Sequence, residues 1–271
     1  MSDQVVIAGH YVLTKKLGKG AHGIVYAGVD TNTGEHVAVK VLGSHWQDAD
    51  LRHRFENEAK QTIKLKHPHI VRVSDFGEHK NRPYLVMEML QGEVLSELLK
   101  REKRLPSASV IPILKSAAQA LAVAHAAGIV HRDIKPENLF LVDKDITQLK
   151  VLDFGIAKAN DETRSVTQTG AVVGTPGYIS PERLQGDAFD GRSDVFSLGA
   201  VAYLALTGAH PYSEGKQGII EIIMAAMNDP LVPIHLLTPD AAPALVKLVE
   251  QMLVKDPAQR PSADDIARAS L

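Results

Sequence analysis

From residue 11 to residue 41, short β-branched and apolar runs alternate with glycine-rich stretches and an Asn32-Thr33-Gly34 turn, the pattern of strands joined by hairpins. Residues 50–66 then carry mixed charge at helical spacing. Beyond His67 and Pro68, residues 70–76 and 84–89 read as two more strands. The first third therefore predicts a small sheet with one helix. After Gly92 the period changes: apolar stripes at residues 94–99, 110–126, 195–207, 219–227 and 244–253 predict a mostly helical second part. Between these helices, residues 131–182 are rich in Gly, Asp, Thr and Pro, the composition of loops that carry chemistry. There is no internal repeat and no low-complexity tract.

Composition narrows the picture. The 271 residues fit one large domain or two joined lobes with a proper core. With 45% hydrophobic and 23% charged residues, the chain reads as a globular enzyme rather than a disordered or fibrous protein. A net charge of −2 gives no sign of a nucleic-acid partner or an anionic membrane surface. The absence of cysteine excludes disulfides and thiolate metal sites. His67 and His69 flank Pro68, but no second ligand cluster accompanies them, so they predict a turn rather than a metal site. The best apolar run, 117–130, is broken by Gln119, His125 and Gly128, short of the roughly 18–20 residues that a membrane span needs. The N-terminus has no basic-then-apolar signal pattern. These readings predict a soluble cytoplasmic chain with no membrane segment.

Gly18-Lys19-Gly20-Ala21-His22-Gly23-Ile24-Val25 is a Gly-x-Gly-x-x-Gly-x-Val stretch between two predicted strands. A dinucleotide-binding loop should open a helix; this one runs into a strand, which favours backbone approach to phosphates from a β-hairpin. Val37-Ala38-Val39-Lys40 alternates so that Lys40 faces away from its aliphatic neighbours. The following helix offers Glu58 or Glu56 as a carboxylate to steady that ammonium group against phosphate oxygens. In His131-Arg132-Asp133-Ile134-Lys135-Pro136-Glu137-Asn138, Asp133 can accept a hydroxyl proton, Lys135 can neutralise phosphoryl charge and Asn138 can ligate a hard cation. Asp153-Phe154-Gly155 supplies a second oxygen ligand. Two oxygen donors suit magnesium, which takes its other ligands from water and phosphates.

Taken together, these motifs resemble the eukaryotic-type (Hanks-type) Ser/Thr protein kinases, bacterial members most of all, over roughly residues 10–265. The resemblance implies an α+β, bilobal protein kinase fold: a small antiparallel β-sheet N-lobe with one main helix, and a larger, mainly helical C-lobe. On that analogy the N-lobe covers about 10–88, the hinge about 88–92 and the C-lobe about 93–271, all within one kinase domain, 1–271. It also selects Glu58, in the Phe55-Glu56-Asn57-Glu58-Ala59 context, as the partner of Lys40. ATP is the implied phosphoryl donor with Mg2+, or Mn2+ in its place. Around the nucleotide the analogy sets Leu17, Gly18, Gly20, Gly23, Val25, Ala38 and Lys40. It adds Met87, the hinge residues Glu88 and Met89, and Phe140. Asn138 and Asp153 are the implied metal ligands.

Further matches are Gly174-Thr175-Pro176-Gly177-Tyr178-Ile179-Ser180-Pro181-Glu182, Asp194-Val195-Phe196-Ser197-Leu198-Gly199 and Arg260. By analogy Glu182 pairs with Arg260, Asp194 braces the catalytic loop, and Thr175 belongs to the platform for the protein substrate. Lys135 and Thr175 imply serine/threonine rather than tyrosine acceptors. Thr167 and Thr169 are the implied autophosphorylation sites, met by Arg132 with Lys158 and Arg54. Relatives of this kind also imply a homodimer for trans-autophosphorylation and a larger, membrane-anchored parent protein. Glu93 and Glu137 suggest a preference for basic residues near the target. Two positions depart from the pattern: Thr62 stands where an aliphatic residue is usual one turn after Glu58, and Ser180 replaces the usual Ala. A pseudokinase scaffold would normally lack Lys40, Asp133 or Asp153. A small-molecule phosphotransferase would not be expected to carry residues 174–182.

Overall fold

A computed structural model describes residues 5–20, 23–43, 49–154, 176–213, 215–216 and 218–271. They form two compact units, the first ending at Gln91 and the second beginning at Gly92.

The first unit is a six-stranded antiparallel sheet in the order β1-β2-β3-β4-β6-β5. Its strands are β1 (Val6–Ile7), β2 (Tyr11–Gly20), β3 (Gly23–Asp30), β4 (His36–Leu42), β5 (Val73–His79) and β6 (Arg82–Glu88). Helix α1 (Ala49–Thr62) lies between β4 and β5 in the chain. Directly paired residues of neighbouring antiparallel strands face the same side. Val25 pairs with Lys40, Lys40 with Leu85, and Ala38 with Met87, so these side chains share one face of the sheet. Phe76, opposite Leu85, stands on the same face and meets Phe55 of α1 edge-on at 6.4 Å. The other face carries a second cluster: Val37, Val39, Tyr84 and Val86, covered by Ile7 and Tyr11.

Several bounds differ from the sequence reading. β1 was not anticipated, since its two residues are too few for alternation to register. α1 ends at Thr62 rather than Lys66, and residues 63–65 turn back through amides bonded to the carbonyls of Ala59, Gln61 and Thr62. Ile70 belongs to a turn, its N–H donated to His67 O at 3.0 Å, and the strand begins at Val73.

In the second unit, β7 (Gly92–Val94), β8 (Leu139–Val142) and β9 (Leu149–Val151) form a three-stranded antiparallel sheet. The helices are α2 (Leu95–Glu102), α3 (Ser107–Ala126), α4 (Pro181–Gln185), α5 (Arg192–Thr207), α6 (Ile219–Asn228), α7 (Ile234–Leu237), α8 (Pro243–Met252) and α9 (Ala263–Arg268). Strand β7 replaces the first residue of the helical stripe expected from Val94. Helix α3 corrects the reading that no apolar run reaches membrane length. It is 20 residues long, and an 18-residue window of it has a mean hydropathy of 1.4, long and apolar enough to span by length and composition alone. Leu114, Ala117, Leu121 and Ala124 are buried within the unit, against α5, α9 and β9, as expected of a core helix. Helix α5 is buried along almost all of its length, which makes it the centre of this core.

Deep in the unit, the expected Glu182–Arg260 pair forms: the guanidinium donates twice to the carboxylate, both at 2.8 Å. Arg260 is 1% exposed, and its remaining donors reach the backbone oxygens of Val254, Lys255 and Arg192. A buried ion pair needs such additional bonds to offset its desolvation. Ser193 Oγ donates to Glu182 at 2.8 Å and lies 2.9 Å from Ser180 Oγ, so the serine that departs from the family pattern is hydrogen-bonded into this network.

Candidate active site

Each unit presents its own set of candidate residues. In the first, strand register does the positioning. Val25, Ala38, Lys40 and Met87 line one face of the sheet, with Lys40 only 8% exposed. An ammonium group kept that far from water requires anionic company. On α1, Glu58 lies on the turn that buries Phe55 and Ala59, whereas Glu56 is exposed and lies 3.9 Å from Lys60. Glu88 Oε1 accepts the Arg72 N–H at 2.7 Å, and Met89 follows immediately after β6.

The glycines differ among themselves. Gly23 has φ +154°, and a Cβ there would sit 2.3 Å from Val41 O, so only glycine fits the ladder at that point. A Cβ at Gly18 or Gly20 would meet nothing within 4 Å. Those two positions are open on the protein side, as a backbone cradle for a bound phosphate requires. Leu17, bulged out between Lys16 and Gly18, is 46% exposed.

In the second unit the loop between α3 and β8 is organised by one carboxylate. Asp194, at the start of α5, is 1% exposed and accepts the N–H of His131 at 2.7 Å and of Arg132 at 2.8 Å. His125 Nε2 adds a third bond at 2.8 Å. Burial alone would raise the Asp194 pKa; the bond from His125 and its neighbours reverse this and hold the carboxyl below the usual range. The bracing anticipated for Asp194 is thus present.

His131 extends the network. Its Nε2–H donates to Leu152 O at 2.7 Å and its Nδ1 accepts the Asp133 N–H at 3.2 Å, the pattern of a neutral imidazole. Burial keeps its pKa low. The ring also meets Phe154 edge-on at 4.7 Å, and Leu152 N–H is bonded to Asn138 O at 2.9 Å. Asp153 is therefore held between two residues tied to the loop. Both Arg132 (φ +68°) and Asp153 (φ +56°) adopt the left-handed backbone region. For non-glycine residues this costs about 1–2 kcal/mol each, and such strain concentrates at functional sites.

Around Asp133 the donors converge. Lys135 Nζ lies 2.9 Å from Asp133 Oδ2, and Asn138 Nδ2 donates to Asp133 O at 2.7 Å and to Oδ2 at 3.1 Å. With its nitrogen so engaged, Asn138 keeps its amide oxygen as an acceptor. Asn138 and Asp153 are hard oxygen donors, and no group of three or more His, Asp or Glu side chains suited to a metal occurs among the described residues. This donor set fits a divalent ion that draws further ligands from phosphates and water, and does not fit a closed structural site. Phe140 lies in β8 opposite Val94, half-buried beside the fully buried Leu139 and Leu141.

One expectation is overturned. Glu93 is buried in β7 and takes two bonds from Arg101, at 2.8 and 2.9 Å, which hold its carboxyl below the usual range. Its carboxylate is taken up by that pair, which argues against a role in reading a substrate. Residues the sequence reading missed are His125, on Asp194, and Arg183, whose Nη1 donates to Arg132 O at 2.8 Å. His125 had left a signal, a polar residue interrupting an apolar helix. Gly155, Lys158, Thr167, Thr169, Gly174 and Thr175 lie outside the described residues.

The protein kinase domain family matches residues 11–271. Among curated proteins, the serine/threonine-protein kinase PknA of Mycobacterium tuberculosis H37Rv is 41% identical over 274 residues, covering 97% of this chain and 62% of that protein. The serine/threonine-protein kinase Pkn1 of Myxococcus xanthus is 39% identical over 258 residues, covering 94% of this chain and 37% of Pkn1. The chain thus spans less than two thirds of these relatives. The crystal structure of the M. tuberculosis PknI kinase domain superposes with a TM-score of 0.77 at 28% identity, over 98% of this chain and 96% of that one. The sheet with its buried lysine, the Asp133 loop braced by Asp194 and a family match over almost the whole chain lead to one assignment: this chain belongs to the protein kinase domain family.

Proposed function

We propose that the chain is a serine/threonine protein kinase that transfers the γ-phosphoryl group of ATP to protein hydroxyls. The observation that carries this reading is the convergence of Lys135 and Asn138 on Asp133. Asp133 orients the acceptor hydroxyl and takes its proton as the oxygen–phosphorus bond forms and ADP departs; Lys135 balances the charge gathering on the transferred group. Gly18, Gly20 and Gly23 supply backbone N–H groups to the phosphates, Lys40 steadied by Glu58 contacts them, and Val25, Ala38 and Met87 on the same sheet face meet the base, Phe140 keeping the base-binding role that the family resemblance implies. Asn138 and Asp153 would hold Mg2+, or Mn2+, which shields the phosphate charge when bound. The names of the relatives, together with Lys135, support serine and threonine over tyrosine.

The regulatory part of the proposal is activation by phosphorylation of Thr167 or Thr169. Arg132 would receive the phosphate, with Thr175 contributing to the substrate platform and a transient homodimer presenting one copy to another. The reading puts the domain in the cytoplasm, where ATP is available. The test is intact-mass spectrometry of the purified chain incubated with ATP and magnesium, beside Asp133→Asn. Phosphate appearing only on the unaltered chain, mapped to Thr167 or Thr169, is the expected result. No phosphate on the chain or on an added protein substrate would replace the enzyme reading with that of a binding scaffold.

A further inference from the structure

We propose that the sheet face opposite Lys40 carries a docking groove for an extended peptide segment that combines acidic and apolar side chains. In β4 the side chains alternate, Ala38 and Lys40 on one face, Val37, Val39 and Val41 on the other. On that second face the cluster of Val37, Val39, Tyr84 and Val86 is covered by Ile7 and Tyr11, and β1 is only two residues long. Beyond this short cover, Leu13 and Val41 pack against the cluster but remain partly exposed. With Tyr26 they floor a groove of about 730 Å³. A sheet face is stable when covered, and among the described residues the apolar cover over Leu13 and Val41 is incomplete.

The rim of the groove has one sign of charge. Lys15, Lys16, Lys80 and Arg82 line it, all exposed, and no Asp or Glu among the described residues does. None of the four has an ion-pair partner among the described residues. The nearby acids are engaged elsewhere: Glu78 accepts from Arg52 at 3.2 Å and Asp75 from the Tyr11 hydroxyl at 2.9 Å. In a chain of net charge −2, four unpaired cations around one apolar depression form a local field that selects acidic partners.

Shape narrows the occupant. A flat lipid surface does not reach the floor of a concavity, and a nucleic acid would find, among the described residues, just the Tyr26 and His79 rings to stack on. An extended peptide fits both features, because alternate side chains point to opposite sides: apolar ones enter the floor while carboxylates reach the rim. The groove and Lys40 lie on opposite faces of the sheet, so such a peptide leaves the nucleotide residues accessible.

The test is fluorescence anisotropy with a labelled synthetic peptide alternating glutamate and leucine, with no ATP present, so the outcome is independent of kinase activity. Controls are a glutamate–serine peptide, a lysine–leucine peptide and phosphatidylserine vesicles. We expect saturable binding of the glutamate–leucine peptide only. It should weaken about tenfold or more in Lys80→Glu/Arg82→Glu, the first change within an exposed hairpin turn and the second on the strand residue that follows it. Thermal melting checks that this variant folds, and Lys15→Glu/Lys16→Glu serves in its place if it does not. Absence of saturable binding overturns the proposal. So do equal binding by the reversed variants, equal binding of the serine peptide, and binding of the vesicles alone.

Discussion

In the first unit Val25, Ala38 and Lys40 are fixed by strand register, so the ladder β3-β4-β6 aims them and no side-chain bond is needed to set their spacing. The second unit fixes Asp133, Asn138 and Asp153 by side chains instead. Asp194 orders His131 and Arg132, His131 ties Asp133 to Leu152, and Asn138 closes the loop. The ladder spreads its stability over many weak, interchangeable bonds. The loop concentrates its own on one buried carboxylate, and removing a member of such a network leaves charged or polar partners stranded.

That contrast predicts the largest effect at Asp194. Asp194→Ala strands two backbone N–H groups and His125 in the interior. The expected loss is about 3–5 kcal/mol, read as a drop in urea midpoint with little change in slope, together with loss of phosphotransfer. Asp194→Asn keeps one acceptor oxygen and falls between. A change under about 1 kcal/mol for the alanine variant would mean that the loop is held by something other than this carboxylate.

The next effect separates two kinds of glycine in the first unit. Gly23→Ala drives a Cβ against Val41 O in a backbone conformation hostile to side chains, and should cost about 1–3 kcal/mol. Gly18→Ala and Gly20→Ala enter open space and should leave the melting temperature within a degree or two of wild type while raising the KM for ATP. Equal melting temperatures for all three would show that the ladder tolerates what the geometry forbids.

How much of this was legible in the sequence follows the same division. Alternation in Val37-Ala38-Val39-Lys40 was enough to orient Lys40, because strand direction is a local property. The Asp194 brace joins residues more than sixty positions apart, and only the family resemblance pointed to it. His125 showed as a polar break in an apolar stripe, but periodicity cannot tell which distant group a polar side chain meets. Glu93 was misread for that reason: its local sequence does not reveal that Arg101, two helical turns away, takes both its oxygens.

Acid should expose the second unit before the first. Burial depresses the pKa of His131 and of His210, so below the ordinary histidine value of 6.5 the unfolded chain takes up protons that the folded one refuses. Their stabilising effect is whole above that value and declines as pH falls, by at most about 1.4 kcal/mol per pH unit for each proton. A second decline begins near 4.5 and 3.8, the ordinary values for Glu182 and Asp194, both of which are held lower in the fold. Their contribution is present above those values and is lost as pH drops through the folded ones. Urea midpoints measured from neutral pH downward should show the first slope, and His131→Gln should reduce it. A flat profile down to about pH 5 would remove the neutral, buried histidine from the account of the loop.

The smallest effect belongs on α1, where the sequence left two carboxylates to choose between. Glu56 and Lys60 are 53% and 59% exposed at their side chains and 3.9 Å apart one helical turn on, so Glu56→Gln should change stability by no more than about 0.5 kcal/mol. Because Glu56 faces solvent, its loss should also leave kcat and the KM for ATP unchanged. Glu58→Gln, on the turn that buries Phe55 and Ala59, should instead lower kcat/KM by about 10²-fold or more with little change in melting. Both variants are isosteric, so any difference between them reads charge at one position against charge at the other. Equal losses would detach Lys40 from Glu58 and return the choice of its partner to the whole polar face of the helix.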